Sequence, residues 1–283
     1  MDHQERSVLA PTVRESPPPP YSKYLDEEEV EDSEEVSSTL SDKSQIESQP
    51  SSPASISLSS QAGPFPPSWS LYHTLSMSRT LMVGSREREP FFAVSRHTGW
   101  WTGKPDLVVH CGPHSAFRPF AAGMGGVGIG RHSIILLPPL PGSGLDSSQE
   151  SLIRVEEEKT THVRFRFTIE VGTELGQWRR EIFEWQHSHQ GVVGMFLDGA
   201  KSGWKLVRLS NEEDVDSEES QSSARQEIVA VWAYAKVSMT KVLKFRYIGS
   251  GATGILGPRW NIMAAMTALR MYQRQQKNRN KDW

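Results

Sequence analysis

The chain has 283 residues, a formal net charge of −3, 36% hydrophobic residues and one cysteine. This length allows one large domain or two small ones, and a single cysteine excludes an intrachain disulfide and a multi-cysteine zinc site. The charge is unevenly distributed: residues 1–60 carry 13 acidic and 4 basic side chains, a net of −9, and the remainder carries 21 acidic and 27 basic ones, a net of +6. The acidic segment can therefore shield the basic body, or the body can attract anionic surfaces.

Residues 1–63 are predicted to be a disordered tail. They contain four consecutive prolines, the acidic run DEEEVEDSEE and a serine-rich stretch, a composition that cannot bury enough apolar surface to offset chain entropy. The first residues lack the apolar core of a signal peptide, and the chain contains no apolar run of about 18 residues. We therefore expect a cytoplasmic protein without a transmembrane segment, with peripheral attachment to a membrane and the nucleus as alternatives.

The tail contains a short motif for a protein partner. Pro18, Pro19, Pro20 and Tyr21 fit the pattern PPxY, which is the ligand of WW domains. Polyproline II is populated without folding, and the tyrosine adds a rigid aromatic anchor. Because a four-residue pattern also arises by chance, a simple proline-rich spacer is the alternative. The motif predicts binding to a WW-domain protein, such as a ubiquitin ligase of the HECT type.

Residues 64–283 are predicted to form the folded domain, which begins with short strands. Aromatic and β-branched residues become dense from FPPSWSLYH onward. The strand-like segments that follow are, in chain order, LMV, FFAVS, DLVVHC, AFRPFAA and HSIILL. The polar segment 141–151 then interrupts this pattern, and we predict that it is a disordered excursion.

The second half of the domain contains the clearest strand. In residues 162–170, HVRFRFTIE, apolar side chains alternate with polar ones. A second polar segment with six acidic residues, 210–226, is also predicted to be a disordered excursion; a phosphorylation target and a cover for basic surface are the alternatives. The other predicted strands are REIFEW, GVVGMFL and GWKLVRL, separated by the turn-like HSHQG and DGAKSG, and then EIVAVWAY and KVLKFRYI. The total is eleven or twelve strands.

The chain closes with an apolar helix. In residues 260–272, WNIMAAMTALRMY, apolar side chains point in every direction at 3.6 residues per turn, so the helix must be enclosed. Its 13 residues are too few to span a bilayer, which favours enclosure by protein. An eight-stranded barrel is filled by its own side chains, whereas one of about eleven strands can hold a helix. The sequence thus predicts a mainly β fold: a closed antiparallel barrel of about twelve strands that encloses a hydrophobic C-terminal helix.

Four segments of the predicted barrel carry a resemblance to a known family. They are SRHTGWWTGKPDLVVHCGP (95–113), FEWQHS (183–188), GWKLVRL (203–209) and the long block from Glu227 to Gln273. On these segments the chain resembles the tubby C-terminal-like superfamily, in particular fungal relatives of plant LURP-one-related proteins. The resemblance implies a closed barrel of twelve strands around a C-terminal helix. It also implies kinship with phosphoinositide-binding tubby proteins and with phospholipid scramblases, although no lipid-contacting residue is transferred to this chain.

Two GxGxxG patterns raise the question of nucleotide binding. Gly123, Gly125 and Gly128 precede a strand, whereas the motif must open a helix to hold a pyrophosphate. The second pattern, starting at Gly249, precedes a helix, but the chain ends without the second parallel strand and the acidic residue of a dinucleotide site. We expect a flexible turn at the second pattern, which reverses the chain into the barrel, and no nucleotide at either.

Histidines and the cysteine are the remaining candidates for chemistry. His187 and His189 should share one face of a strand-like segment, and two ligands without a third do not form a zinc site. Cys111, flanked by His110 and His114, ends an apolar run and is expected to be a small buried residue. We therefore expect no cofactor, no metal ion and no catalytic activity.

Basic side chains on the outer faces of two predicted strands are candidates for binding anionic phospholipid. Arg164 and Arg166 share one face, as do Lys244 and Arg246. Anionic headgroups attract such residues by about 1 kcal/mol for each cation near the surface. Charges on a solvated barrel exterior are the alternative. Further cations that could add to these pairs are Lys201, Lys205, Arg208 and the basic C-terminal residues.

Two functions follow from these features. The first is a non-enzymatic binding or scaffolding module that recognises phosphoinositide headgroups at a membrane surface. The alternative is a regulatory adaptor that recruits a WW-domain protein through its tail. A scramblase-like or ligand-enclosing activity is disfavoured because the helix occupies the predicted barrel interior. Nucleic acid is not expected, because the chain is mildly acidic and contains no nucleic-acid-binding motif.

Overall fold

A computed structural model describes the barrel domain and shows a closed ring of twelve antiparallel strands with a C-terminal helix. The predicted fold class is confirmed. The residues that the structure describes are 63–74, 80–97, 105–125, 132–140, 147–156, 163–172, 178–189, 191–209, 226–236 and 238–279.

Each strand pairs with its neighbours in the chain, and the first strand pairs with the last. A closed ring leaves no unpaired edge. The strands are β1 (Ser68–His73), β2 (Thr80–Arg86), β3 (Glu89–Arg96), β4 (Leu107–His110), β5 (Pro119–Gly125), β6 (His132–Leu137), β7 (Ser148–Glu156), β8 (Val163–Val171), β9 (Arg179–His189), β10 (Ser202–Leu209), β11 (Glu227–Tyr234) and β12 (Lys241–Tyr247). The helices are α1 (Val192–Phe196), α2 (Ser250–Thr253) and α3 (Gly257–Arg279).

The alternation that predicted the strands also determines which side chains face the interior. On β8, Phe165, Phe167 and Ile169 are buried in the core, and Arg166 between them is exposed. Each inward residue pairs with another across the strand boundary, for example Phe165 with Trp185 of β9. Aromatic rings from several strands then line the interior.

Helix α3 fills the barrel. Every residue from Arg259 to Gln273 is buried, including the small side chains of Ala264, Ala265 and Ala268. The helix and the inner faces of the strands form one hydrophobic core. The prediction of an enclosed helix is therefore confirmed. The helix is longer than the predicted 260–272, because polar residues continue it to Arg279 beyond the apolar part.

A tight turn directs the chain from β12 into the barrel. Gly257, the first residue of α3, has a φ of 86°, and a Cβ atom there would lie 2.1 Å from the carbonyl oxygen of Gly172. The amide of Gly172 in turn donates a hydrogen bond to the carbonyl oxygen of Leu256. Glycine is required at this position both for its backbone conformation and for this close approach.

Three sequence-based predictions are wrong. The segment GVVGMFL was predicted as a strand, but its Val192–Phe196 part forms α1. Residues 187–189 belong to β9 and not to the predicted turn. Residues 148–151 belong to β7 and not to the predicted loop. The predicted loop at 210–226 lies almost entirely outside the described residues.

Candidate functional site

Helix α1 packs against the outside of the barrel over Gly203, whose lack of a side chain makes room for it. A Cβ atom at Gly203 of β10 would lie 2.8 Å from Val193 Cγ1 and 2.4 Å from the carbonyl oxygen of Trp232. Val193 and Leu197 are buried against outward-facing residues of β11, including Val231. The helix therefore lies directly on the strands.

The opposite side of α1 faces solvent and carries an apolar tip. Met195 is 78% exposed, and it is one of four large hydrophobic side chains that are exposed within the described part of the chain. A single exposed apolar residue is ordinary on a protein surface. Met195 is of interest because α1 and the turn after it contact two of the predicted lipid-binding residues.

Two of the predicted lipid-binding residues lie beside α1. Lys244 Nζ is 3.0 Å from Asp198 Oδ2, just after the helix. The Arg246 guanidinium carbon lies 6.0 Å from the centroid of the Phe196 ring, and Arg246 Nη1 is 3.5 Å from the Phe196 carbonyl oxygen. The structure thus places Lys244 and Arg246 against α1, the helix that carries Met195, and the turn that follows it. Sequence reasoning missed α1 as their neighbour.

The charges around Asp198 show that this surface is basic. The pKa of Asp198 is lowered, first by the hydrogen bond from Lys244 and by its charge, and further by the charges of Lys241 and Arg246. Three cations therefore act on one ionised carboxylate. A second carboxylate, that of Glu87, lies at the edge of the surface and accepts a hydrogen bond from Thr240. We call this surface the α1 face and define it by Met195, Phe196, Asp198, Lys241, Lys244 and Arg246.

Arg164 and Arg166, the other predicted lipid-binding pair, both form ion pairs with Glu184. Arg166 donates two hydrogen bonds to Glu184 Oε2, at 3.2 Å from Nε and 2.7 Å from Nη2, and Arg164 Nη1 lies 3.4 Å from Glu184 Oε1. The side chain of Glu184 is only 1% exposed, so the two arginines cover it. Such charge-assisted bonds stabilise the β8–β9 pairing.

The two basic pairs do not form one patch. Lys244 and Arg246 are on β12, Arg164 and Arg166 are on β8, and β9, β10 and β11 lie between them. At about 4.8 Å per strand, this corresponds to roughly 19 Å along the wall. Arg208, which could have connected them, is held by Glu181 at 2.6 Å and lies 3.4 Å from Glu227.

The described histidines and Cys111 are the remaining candidates for chemistry. The rings of His187 and His189 are 4.4 Å apart on one face, as predicted. Within the described ranges, no group of three or more His, Cys, Asp or Glu side chains is arranged to hold a metal ion. Cys111 was predicted to be buried, but it is partly exposed, and its thiol donates to the carbonyl oxygen of Arg118 at 2.8 Å.

The glycine patterns have structural explanations. Gly123 and Gly125 lie on β5, where added Cβ atoms would meet the side chain of Arg270 at 3.6 and 3.8 Å. Gly251 lies in α2, where a Cβ atom would be 2.2 Å from the carbonyl oxygen of Val229 and 2.6 Å from Trp260. Distances of this size are ordinary van der Waals contacts, so nothing at Gly123 or Gly125 demands glycine, whereas Gly251 allows α2 to pack on the wall.

Two predictions concern features beyond these contacts. The PPxY motif at Pro18, Pro19, Pro20 and Tyr21 lies outside the described residues. In the part of the chain that is described, no helix combines the length and the apolar character needed to cross a membrane.

The chain is thus a closed twelve-stranded antiparallel barrel with a central helix, and the α1 face is a basic region of its outer surface. Comparison of the chain with protein-family models, curated proteins and solved structures gives no significant match.

Proposed function

We propose that the barrel is a non-catalytic binding module that attaches to anionic membrane surfaces through the α1 face. The observation that carries this proposal is that Lys244 and Arg246 contact the end of α1 and the turn after it, and that α1 carries the exposed apolar side chain of Met195. An apolar tip can enter the headgroup region while cations beside it contact the phosphates.

The energies favour this surface over the rest of the wall. Lys241, Lys244 and Arg246 would each contribute about 1 kcal/mol near an anionic bilayer. The ion pair of Lys244 is weak in water, because the Asp198 side chain is 87% exposed, so Lys244 can exchange this partner for a phosphate. Arg164 and Arg166 are less suited, because both would have to leave a carboxylate that is buried beneath them.

Because the interior of the barrel is filled, the proposed binding site lies on its outer surface. Helix α3 occupies the space that larger barrels use for a ligand, and its side chains from Arg259 to Gln273 are buried. The proposed relation to the tubby superfamily favours phosphoinositides as the headgroup. That relation and the choice of lipid are both part of the proposal.

Flotation of the full chain with vesicles tests the proposal. Vesicles of phosphatidylcholine alone, of phosphatidylcholine with phosphatidylserine, and of phosphatidylcholine with a phosphoinositide at equal total charge separate general charge attraction from headgroup recognition. The variant with Lys244→Gln and Arg246→Gln should lose most of the bound fraction. A matched control, Arg118→Gln, removes an exposed cation from the β4–β5 turn and should bind like wild type. Equal recovery with neutral and anionic vesicles would reject the proposal.

The PPxY motif supports a second candidate function, that of an adaptor for a WW-domain protein. Its proline-rich sequence and aromatic anchor are what a WW domain reads. Binding of a purified WW domain to the full chain should be lost on Tyr21→Ala and be retained by Lys244→Gln. Vesicle binding should show the reverse dependence. A Tyr21→Ala chain that still binds the WW domain would remove the adaptor function.

A further inference from the structure

The described part of the chain begins beside the α1 face. Phe65 is buried, and its backbone N–H and carbonyl groups form hydrogen bonds with the side-chain amide of Asn261 on α3, both at 3.0 Å. Ser68, the first residue of β1, pairs with Arg246 of β12, and both side chains are exposed on the outer wall. Residues 1–62 therefore lead into the barrel a few residues before the partner of a cation of the α1 face.

The cations of the α1 face make contacts that another anion can replace. Lys244 Nζ is 3.0 Å from Asp198 Oδ2, and the Asp198 side chain is 87% exposed. An exposed ion pair is weak in water, because solvent competes for both partners. Lys241 and Arg246 also act on this carboxylate through their charges, so it shares a positive field with a solvent-exposed surface. Exchange of Asp198 for another carboxylate therefore leaves no buried charge behind.

The N-terminal tail contains a dense run of the opposite charge. Eight of the ten residues 26–35, DEEEVEDSEE, are acidic and none is basic. We call this segment the acidic run. Lys241 and Arg246 are five residues apart on β12, so the cations are spread over about 17 Å of the strand. An extended chain covers that distance in about five residues, so the acidic run can present several carboxylates to them at once.

The length of the connection allows the acidic run to reach the α1 face. Glu35 and Gly63, the first described residue, are 28 residues apart, which an extended chain spans over about 90 Å. Because the two partners belong to one chain, their contact is intramolecular. Tethering of this kind gives an effective concentration on the order of 1 mM, so a contact that is weak between separate molecules becomes populated.

We infer that the acidic run binds the α1 face of its own chain and competes there with anionic phospholipid. The competition rests on the proposed function of the α1 face, whereas the contact itself does not. Carboxylates of the acidic run take the positions that lipid phosphates would take beside Lys244 and Arg246. A membrane of high anionic charge density then displaces the acidic run, and a weakly charged membrane does not.

Binding of a labelled peptide tests the contact without any lipid. The probe is a fluorescent peptide of residues 22–40, titrated against full chains and followed by anisotropy. A chain in which the eight acidic residues of the acidic run are replaced by their amides, the amide chain, should bind this peptide. The wild-type chain should bind it at least about tenfold more weakly, because its own acidic run occupies the face.

Variants of the amide chain locate the binding surface. Adding Lys244→Gln and Arg246→Gln should abolish peptide binding, and adding Arg118→Gln, the matched control, should leave it unchanged. Three results would overturn the inference: no binding to the amide chain, equal affinity of the amide and wild-type chains, or binding that does not depend on Lys244 and Arg246.

The acidic segment 210–226 is the competing occupant and supplies a second control. It carries six acidic residues and is joined to strands at both ends, β10 and β11, which restricts how it can lie across β12. A chain with amides at these six positions should bind the peptide as weakly as wild type. If this variant binds the peptide and the amide chain does not, the segment 210–226 is the occupant and the inference is wrong.

Vesicle flotation separates this inference from the proposed function. The amide chain should bind vesicles of phosphatidylcholine with phosphatidylserine more strongly than wild type and than the chain with amides in 210–226. If wild-type and amide chains bind these vesicles equally through Lys244 and Arg246, the proposed function stands and the competition is excluded. If no chain binds vesicles but the peptide result holds, the contact of the acidic run stands and the lipid function fails.

Discussion

The indole Nε1 of Trp185 on β9 donates a hydrogen bond to Thr267 Oγ1 on α3 at a distance of 2.9 Å. Both residues are fully buried, and the threonine hydroxyl donates in turn to the carbonyl oxygen of Ala264 at 3.0 Å. This chain of hydrogen bonds joins the wall of the barrel to the middle of the helix. Together with the buried contacts of Asn261 and Arg259, it helps to fix the rotation of α3 inside the barrel.

Thr267→Val should destabilise the protein by about 1–3 kcal/mol, because it leaves the indole N–H buried without an acceptor. Thr267→Ser is the matched control, since it keeps the hydroxyl and removes only a methyl group. Urea unfolding followed by tryptophan fluorescence measures both. A valine variant as stable as wild type would show that the hydrogen bond contributes nothing to the orientation of α3.

Gly257→Ala should be far more destabilising than Gly191→Ala. Both glycines have positive φ values, 86° and 78°, so each alanine carries a backbone cost of about 1–2 kcal/mol. Only at Gly257 does the added methyl group also meet a carbonyl oxygen at 2.1 Å, whereas at Gly191 it meets no atom within 4 Å. The melting temperature of the Gly191→Ala variant reports backbone strain alone, and that of Gly257→Ala reports backbone strain together with the steric clash. Similar values would contradict the tight turn at the start of α3.

The stability of the protein should fall in acid, because the carboxylates of Glu181 and Glu170 are held in their ionised form by arginines. Burial alone would raise the pKa of Glu181, but hydrogen bonds from Arg208 and Arg179 lower it below its ordinary value of about 4.3. The pKa of Glu170 is lowered in the same way against burial, chiefly by Arg259. A lowered pKa contributes stability above the ordinary value, which is lost as the pH falls through the folded-state value.

The corresponding experiment is unfolding between pH 7 and pH 2. Glu181→Gln should be less stable than wild type at pH 7 and should show a smaller loss as the pH falls below about 4. Glu170→Gln should behave similarly. A variant whose stability falls as steeply as that of wild type would show that the arginine pairs do not stabilise the ionised carboxylate.

Met195→Ser should weaken vesicle binding without changing stability, because the side chain is 78% exposed and would be buried only in the membrane. Removing an inserted apolar side chain of this size should reduce the partition coefficient roughly tenfold, on a scale of about 1.5 kcal/mol per buried side chain. Ile255→Ser is the control, since Ile255 is 58% exposed between α2 and α3. Equal loss in both variants would mean that the α1 face is not the surface that contacts lipid.

Much of the fold could be predicted because it depends on periodic patterns. The alternation in β8 and the apolar run around Met266 each describe one environment, an inner wall and an enclosed helix. The segment that became α1 was misread because a short apolar run is compatible with a strand or a helix. Its conformation depends on Gly203, ten residues beyond Val193, which makes room for it. That contact has no local signature.

The candidate surfaces were harder to predict than the fold. Lys244 and Arg246 could be placed on an outer face, but the carboxylates that pair with cations came from other strands and turns. Glu184 on β9 neutralises part of the Arg164 and Arg166 pair through a contact between strands. Asp198 reaches Lys244 across 46 residues of sequence. Net charge on a surface depends on such partners, which periodicity does not show.

All twelve strands precede α3 in the chain. A ribosome therefore delivers the complete wall before the segment that fills it, and β1 must wait for β12 before the ring can close. Until residue 257 has emerged, inward aromatic side chains such as Trp185 and Phe183 have no partner helix to cover them. A chain that ends before α3 therefore leaves these apolar side chains exposed, and we expect it to aggregate more readily than the full chain.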